Sequence, residues 1–331
     1  MTNAQMSVGV VGAGTIAVNV HIPVLRAMPD VHIAWVADAD LRRAQSVAKA
    51  NKLTAVPAGL GAPPLPPCDA IILAIPLLPR RHYLETYTAG ETAFLVEKPF
   101  ALDASEHRRW LSLYAPWRLG CGYQRRHYAT SRLLRQAVRS GCFGPLRSLR
   151  LHEGGRVTRA GEAGYSDDTT ANGGGLIKNL GCHSLDLALS ITGAVSYHIA
   201  ERKVEWDGDT DRQGTARIRL NDVAGNAGHD CDFDWSVSWL EPRSNTIELR
   251  FDSVTLRCPT TPVDEVALVD IQGQLFAPMS AKPTGGATTI TQAFFLEWTD
   301  FLAGVRNRKE ALISATSALP VTILMDELLQ R

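Results

Sequence analysis

No apolar run in this 331-residue chain approaches the roughly 20 residues that a helical membrane span requires, so no membrane-spanning helix is expected. Nor is there an excess of charge of one sign. The 34 Lys and Arg are matched by 34 Asp and Glu. A chain devoted to nucleic acid normally carries a basic surplus, so neither nucleic acid nor membrane is expected as a partner. Six cysteines occur, but no two have the two-residue spacing of a metal knuckle or redox pair. They read as reduced thiols of a cytosolic protein. The first residues lack the basic stretch and apolar core of a secretory leader, so a cytoplasmic location is expected. There is also no internal repeat. What remains is ordinary for a globular protein: 45% hydrophobic and 21% charged residues, in a chain long enough for two cores.

Short β-branched apolar runs alternate with helical patterns through the first third. Strands are predicted over 7–11, 31–37, 69–75, 93–96 and 117–123. Helices are predicted from the 12–17 loop to about Met28, and over 41–50, 79–89 and 103–114. Such alternation implies a parallel sheet with right-handed crossovers. One connection breaks the rhythm. Residues 55–67 contain five prolines, each of which removes a donor and clashes inside a helix, so an irregular link is expected there. Beyond about Arg126 the texture changes. The 154–175 stretch is polar and glycine-rich. Strand-like runs at 198–206, 215–220, 231–239 and 246–256 are separated by Asp, Asn and Gly turns, and the end is helical from about Thr291. The expected fold is α/β. An N-terminal Rossmann domain with a doubly wound parallel sheet spans 1–123, and a C-terminal α/β domain with a large, mostly antiparallel sheet spans 124–331.

Three segments carry chemistry. The first is Gly12-Ala13-Gly14-Thr15-Ile16-Ala17, between a strand and a helix. Gly12 permits a tight turn, Gly14 lets the backbone approach a pyrophosphate, and Ala17 allows close helix–strand packing. Phosphates then meet unpaired N–H groups at the positive end of the helix. Asp38 closes the next strand, where a carboxylate hydrogen-bonds ribose hydroxyls and repels a 2′-phosphate. NAD(H) is therefore favoured over NADP(H). Arg42 and Arg43 follow closely enough to keep that preference open, and a second reading makes Asp38 only a helix cap.

The second segment is Glu97-Lys98-Pro99, at the carboxyl end of a parallel strand, where ligands of open α/β sheets gather. Lys98 there can reach the nicotinamide ribose and a substrate oxygen, and Pro99 is a candidate for a cis peptide. The plainer reading is a surface lysine beside a loop proline. The third segment begins at Gly173-Gly174-Gly175 and opens a helix carrying Asn179, His183 and Asp186. At i, i+4 and i+7 these share one face of an α-helix. An unperturbed histidine changes charge near neutrality, so His183 suits acid–base work, although a lone helix histidine is also a common structural residue. As metal ligands, His183 and Asp186 have no obvious third partner, so no metal is expected. Cys182 reads as a small residue filling a helix face rather than as a nucleophile.

Together these segments resemble the Gfo/Idh/MocA family of oxidoreductases, over nearly the whole chain. The motifs are the 12–17 loop, Glu97-Lys98-Pro99, and Gly174-Gly175 followed by Asn179, Gly181, His183 and Asp186. Ile75-Pro76 looks like the family's exit from its fourth strand, and Tyr123-Gln124-Arg125-Arg126 like its entry to the second domain. The resemblance implies an NAD(P)(H)-dependent dehydrogenase or reductase acting on a sugar, polyol or keto-sugar. Its cofactor would lie against Gly12, Gly14, Thr15, Ile16, Asp38, Arg43, Ile75, Pro76, Glu97 and Lys98. Lys98 would stabilise the substrate oxygen, His183 would be the acid–base residue with Asn179 beside it, and Arg126 and Tyr165 would complete the substrate contacts. Glu153, Arg156, Arg159 and Asp167 of the polar loop are further candidates. A homodimer or homotetramer through the C-terminal sheet is also implied.

Three departures from the family pattern stand out: Asn179 replaces a frequent aspartate, Arg80 a frequent histidine, and residues 55–67 a crossover helix. An amide orients His183 but supplies no negative charge to an imidazolium, and Lys178 nearby adds to that loss. Reduction of an imine or cyclic ketone in secondary metabolism is an alternative. Another is a dinucleotide-binding regulator without turnover, against which the presence of both Lys98 and His183 argues.

Overall fold

The computed structural model describes residues 5–156, 174–194, 196–224, 229–270 and 272–331. The chain forms two compact units. One comprises Met1–Tyr123 with Phe294–Thr322, the other Gln124–Ala293 with Ile323–Arg331.

The first unit starts with β1 (Met6–Val11). A π turn (Ala17–His21) passes into α1 (Ile22–Arg26), followed by β2 (Val31–Asp38), α2 (Leu41–Asn51), β3 (Ala55–Pro57) and β4 (Ala70–Leu73). Then come α3 (Leu77–Thr86), β5 (Ala93–Val96), α4 (Ala104–Leu113) and β6 (Leu119–Cys121). The strands lie in the order β3-β2-β1-β4-β5-β6, all parallel, which is the Rossmann order. β4 and β5 are buried along their whole length because both faces of such a sheet are covered, and their sequences are accordingly unbroken apolar runs. The direction in which successive strands are added reverses between β1 and β4, so the loops after β1, β4 and β5 gather at the crevice where ligands of this fold bind. The proline-rich link makes only the short β3 and no helix. It is pinned by the Trp35 indole N–H on Pro66 O (3.1 Å) and by the Tyr87 hydroxyl, which accepts from Leu65 N (2.7 Å).

The second unit contains α5 (Ala129–Ser140), β7 (Ser148–Gly154) and a π turn (Ile177–Gly181) running into α6 (Cys182–Thr192). β8 (Ser196–Asp207), β9 (Thr210–Asn221), β10 (Cys231–Ser238), β11 (Thr246–Arg250), β12 (Val254–Pro259), β13 (Glu265–Asp270) and β14 (Leu275–Ser280) complete it. The sheet runs β14-β13-β12-β11-β7-β10-β9-β8, antiparallel except where β10 meets β7. Alternation is plain in β10, where Cys231, Phe233, Trp235 and Val237 are buried and Asp232 is exposed. On the outward side Arg150 pairs with Asp234 (3.2 Å) and Arg257 with Glu248 (2.7 Å). The 246–256 run, expected as one strand, is a hairpin of β11 and β12. Phe251 N donates to Val254 O (2.9 Å) and closes its turn over Asp252 and Ser253.

Two helices end the chain, α7 (Ile290–Asn307) and α8 (Ala315–Leu329). The sequence reading put all of 124–331 in the second domain. The structure instead places 294–322 in the first unit, where Phe294, Trp298, Phe301, Leu302 and Ile313 are buried in the core with Val8, Val10, Ile72 and Leu95. Cys121 N donates to Ile313 O (2.8 Å), and the His107 ring contacts Thr322 Oγ1 (2.8 Å) and Ala315 O (3.0 Å). Burial pushes the His107 imidazole down to about 4, so it works as a neutral hydrogen-bonding group there. Among the described residues, no helix is long and apolar enough to cross a membrane.

Candidate active site

The 12–17 loop leaves β1 at Gly12, whose φ of +99° lies in the left-handed region. A Cβ there would stand 2.3 Å from Ala74 O and 2.9 Å from Ile75 Cγ2, so only glycine fits against the β4 exit. At Gly14 the opposite holds, because a Cβ would enter open space in front of the loop. That is the clearance a pyrophosphate needs. Ala17 is fully buried, Ile16 packs partly on the core and Thr15 is exposed. Asp38 turns its carboxylate back on the loop. Its Oδ2 accepts from Ala13 N (2.8 Å) and its Oδ1 from Asp40 N (2.9 Å). The cap of α2 is Asp40, which accepts from Arg42 N (3.0 Å), so Asp38 is not the cap of that helix. The exposed Arg43 lies 3.8 Å from Asp38 Oδ2. Pro76 is exposed at the start of α3.

The Glu97-Lys98-Pro99 turn is held from three sides. Its Lys98–Pro99 peptide is cis. Glu97 is buried; its Oε2 accepts from Lys98 N (3.1 Å) and its Oε1 meets His21 Nε2 (2.9 Å). His21 belongs to the helical segment that follows the glycine loop, and its Nδ1 accepts from the Trp298 indole N–H of α7 (3.1 Å). An indole only donates, so Nε2 of His21 carries the proton and donates to Glu97. Arg80, the departure noted in the sequence, is buried. It donates to Ile75 O (2.8 Å), to Glu97 O (2.6 Å) and to Pro99 O. Burial pushes the Glu97 carboxyl up, but the His21 hydrogen bond and the charges of Lys98 and Arg80 outweigh it and hold the group below its usual range. Glu297, fully buried on α7 with no hydrogen-bond partner for either oxygen among the described residues, is pushed the other way by burial and by Glu97 and Asp300. The two carboxyls are thus shifted in opposite directions. His21, Trp298 and Glu297 escaped the sequence reading. Only a lone histidine in an otherwise apolar first turn could have signalled the first of them.

In the second unit, the helix carrying Asn179 and His183 is fixed at its start by Asp211 of β9. This buried carboxylate accepts from Gly175 N (2.9 Å) and Ile177 N (2.6 Å). A Cβ on Gly175 would lie 2.5 Å from Asp211 O, which explains the glycine. Trp235 of β10 donates to Ser184 Oγ (2.8 Å) and ties α6 to the sheet. Asn179 and His183 are both largely buried. Asp186 does not serve as their partner. It is fully buried in an ion pair with Arg126, whose Nε donates to both carboxylate oxygens (3.0 Å each). Asn179 lies in the π turn, whereas His183 and Asp186 keep α spacing within α6. Arg126, expected to contact substrate, is paired with Asp186. Glu153 is likewise buried against Arg125 (2.8 Å). Tyr165, Arg159 and Asp167 lie outside the described residues.

A profile described as an oxidoreductase family with an NAD-binding Rossmann fold matches residues 6–115, and one for the Gfo/Idh/MocA C-terminal domain matches residues 131–257. The chain belongs to this family. One Gfo/Idh/MocA-like relative is the dTDP-3,4-didehydro-2,6-dideoxy-alpha-D-glucose 3-reductase of Streptomyces antibioticus, 28% identical over 195 residues. The match covers 58% of this chain and 58% of that relative's length. Among solved structures, levoglucosan dehydrogenase in complex with NADH and levoglucosan superposes with a TM-score of 0.81 at 14% identity, covering 98% of this chain and 96% of that one. A 3-ketoreductase from Actinomadura kijaniata in complex with NADP and TDP-benzene superposes with a TM-score of 0.79 at 16% identity, covering 98% and 97%. At these identities the superpositions speak for the shared fold. For this Gfo/Idh/MocA member, the turn at Gly12, the clearance at Gly14 and the Asp38 carboxylate all suit a nicotinamide dinucleotide. Among the described residues, no group of three or more His, Cys, Asp or Glu is arranged to hold a metal ion.

Proposed function

We propose that the chain is a nicotinamide-dependent oxidoreductase of a keto-sugar or sugar alcohol, with a keto-sugar carried on a nucleoside diphosphate as the leading substrate class. The carrying observation is the lock between the glycine loop's helix and the Lys98 turn, made by His21 and reinforced by Arg80. It gives one rigid frame both to a dinucleotide and to a lysine. The substrate class rests on the dTDP-sugar 3-reductase, whose name specifies a nucleotide-linked deoxysugar.

When bound, the nicotinamide supplies or accepts the hydride. Lys98 stabilises negative charge on the substrate oxygen, and His183 gives or takes the hydroxyl proton. Asn179 positions His183 without adding charge. Arg126 acts through its pair with Asp186 rather than by touching substrate. Gly12, Gly14, Thr15, Ile16, Ile75, Pro76 and Glu97 line the cofactor side. The first unit binds the dinucleotide. The second binds substrate and mediates self-association through its eight-stranded sheet, as a homodimer or homotetramer in the cytoplasm.

Purified protein is expected to quench the fluorescence of NADH and, given a panel of dTDP- and UDP-linked keto-sugars, to consume the nicotinamide absorbance band. Cofactor binding with no turnover of any panel member would favour a regulator and sink the enzyme reading.

NAD(H) is favoured over NADP(H) because Asp38 places a carboxylate beside the loop amides, where a 2′-phosphate would be repelled. Arg43 at 3.8 Å screens that charge only from an exposed position. Asp38→Ala is expected to weaken NADH at least about tenfold and NADPH less, since a ribose hydrogen-bond acceptor is lost for one and a repulsion relieved for the other. Equal losses in parallel fluorescence titrations would remove Asp38 from cofactor choice.

A further inference from the structure

Three arginines on α5 stand apart from the rest of the second unit. Arg132, Arg135 and Arg139 fall at i, i+3 and i+7, one helix face, and with Gln136 and Ser140 they line a cavity of about 460 Å3. Arg125 and Arg126, only a few residues earlier, are neutralised by Glu153 and Asp186. Among the described residues, no carboxylate pairs with Arg132, Arg135 or Arg139, and none lines the cavity.

Two of the three guanidiniums are already fixed in place. Arg135 is nine-tenths buried; its Nε donates to Ser190 O (3.1 Å) and its Nη2 to Ser190 Oγ (2.6 Å). Arg132 Nη1 donates to Gly285 O (3.0 Å) and Thr284 O (3.3 Å), and its Nη2 lies 3.4 Å from His127 Nδ1. These partners are carbonyls, a hydroxyl and a neutral ring, so they satisfy N–H groups without cancelling charge. Arg139 reaches the same cavity from an exposed position. The uncancelled charge is felt locally. Burial, with Arg126, Arg139 and Arg132 outweighing the Asp186 carboxylate, pushes the Arg135 guanidinium down to about 10. Burial, with Arg132, Arg135 and Arg126, pushes the His127 imidazole down to about 3.

We propose that this cavity is a binding site for a phosphoryl dianion, held by Arg132, Arg135 and Arg139. Guanidinium forks match phosphate oxygens in pairs, and prefixed side chains lose little freedom on binding. A carboxylate carries one charge and would leave two of the three cations uncompensated; a phosphoryl group carries close to two and presents three acceptor oxygens. The site owes nothing to the glycine loop or to hydride transfer.

The test is calorimetric titration of inorganic pyrophosphate into the full chain, at fixed ionic strength and with saturating NADH to occupy the glycine loop. Binding with a dissociation constant below about 1 mM is expected. Arg139→Gln, an exposed position that leaves the Arg132 and Arg135 anchors intact, should weaken it at least about tenfold, and Arg139→Lys by less, since a point charge keeps part of the attraction. Competition by dTDP would assign the phosphoryl group to a nucleotide; its absence would assign the site to free phosphate. Equal affinity in wild type and Arg139→Gln overturns the proposal, as does equal displacement by chloride at matched ionic strength. NADH quenching, followed in the same samples, reports separately on the cofactor reading. If NADH itself does not bind, the wild-type and Arg139→Gln titrations still decide the anion site.

Discussion

Lys98→Ala is expected to lower turnover at least about a hundredfold, the usual scale for loss of an electrostatic or acid–base group, with cofactor affinity nearly unchanged. The structure explains why the damage should be chemical rather than architectural. The turn is held by the Lys98 backbone N–H on Glu97, by His21 on the same carboxylate, and by Arg80 on Glu97 O and Pro99 O. None of these contacts uses the ammonium group. Removing it should leave the turn folded and the glycine loop intact, while an oxyanion forming on the substrate loses its nearest charge. An interaction made only in the transition state lowers kcat and kcat/KM together, and that is the expected pattern. Turnover near that of wild type, measured with NADH and a substrate found in the panel, would remove Lys98 from the chemistry. A large rise in cofactor Kd would instead make it a binding residue.

Arg126→Met should cost about 3–5 kcal/mol of stability, because it strands the Asp186 carboxylate in the interior. Both partners are almost fully buried, and the guanidinium grips both carboxylate oxygens. Burial already pushes the Asp186 carboxyl up despite Arg126, Arg135 and Arg125 around it, so losing the main partner leaves desolvation weakly opposed. The pair joins the chain just before α5 to α6, the helix that carries His183. The double variant Arg126→Met/Asp186→Leu should regain most of the loss, since apolar replacement of a buried pair is often neutral. Urea unfolding of the single and double variants measures both. A single-variant cost below about 1 kcal/mol, or a double variant no better than the single, would show that the pair is not a desolvated unit.

Much of the first unit was legible because its signals are local. A glycine at a left-handed φ, an alanine under a helix and an unbroken apolar strand each declare themselves within a few residues. The irregular path after β3 was legible for the same reason, since prolines act on their own backbone. The second unit was harder. Residues 246–256 read as one strand, although Asp252 and Ser253 turn the chain, because apolar positions continue on both sides. The i, i+4 and i+7 spacing of Asn179, His183 and Asp186 suggested one face, but Asn179 sits in a π turn and Asp186 pairs with Arg126.

By itself the sequence determined that a Rossmann unit with a phosphate loop stands first, that a lysine follows its fifth strand, and that a histidine helix follows a glycine run. Each is a property of neighbouring residues and of backbone conformations open only to certain side chains. Tertiary structure alone decided that 294–322 pack with the first unit, and that Asp211 anchors the histidine helix. It alone decided that Glu97 is held through His21 by Trp298, which lies 277 positions from that histidine. Those outcomes turn on which buried polar groups find one another when distant segments meet, and a buried donor or acceptor must be paired by whatever the fold brings near.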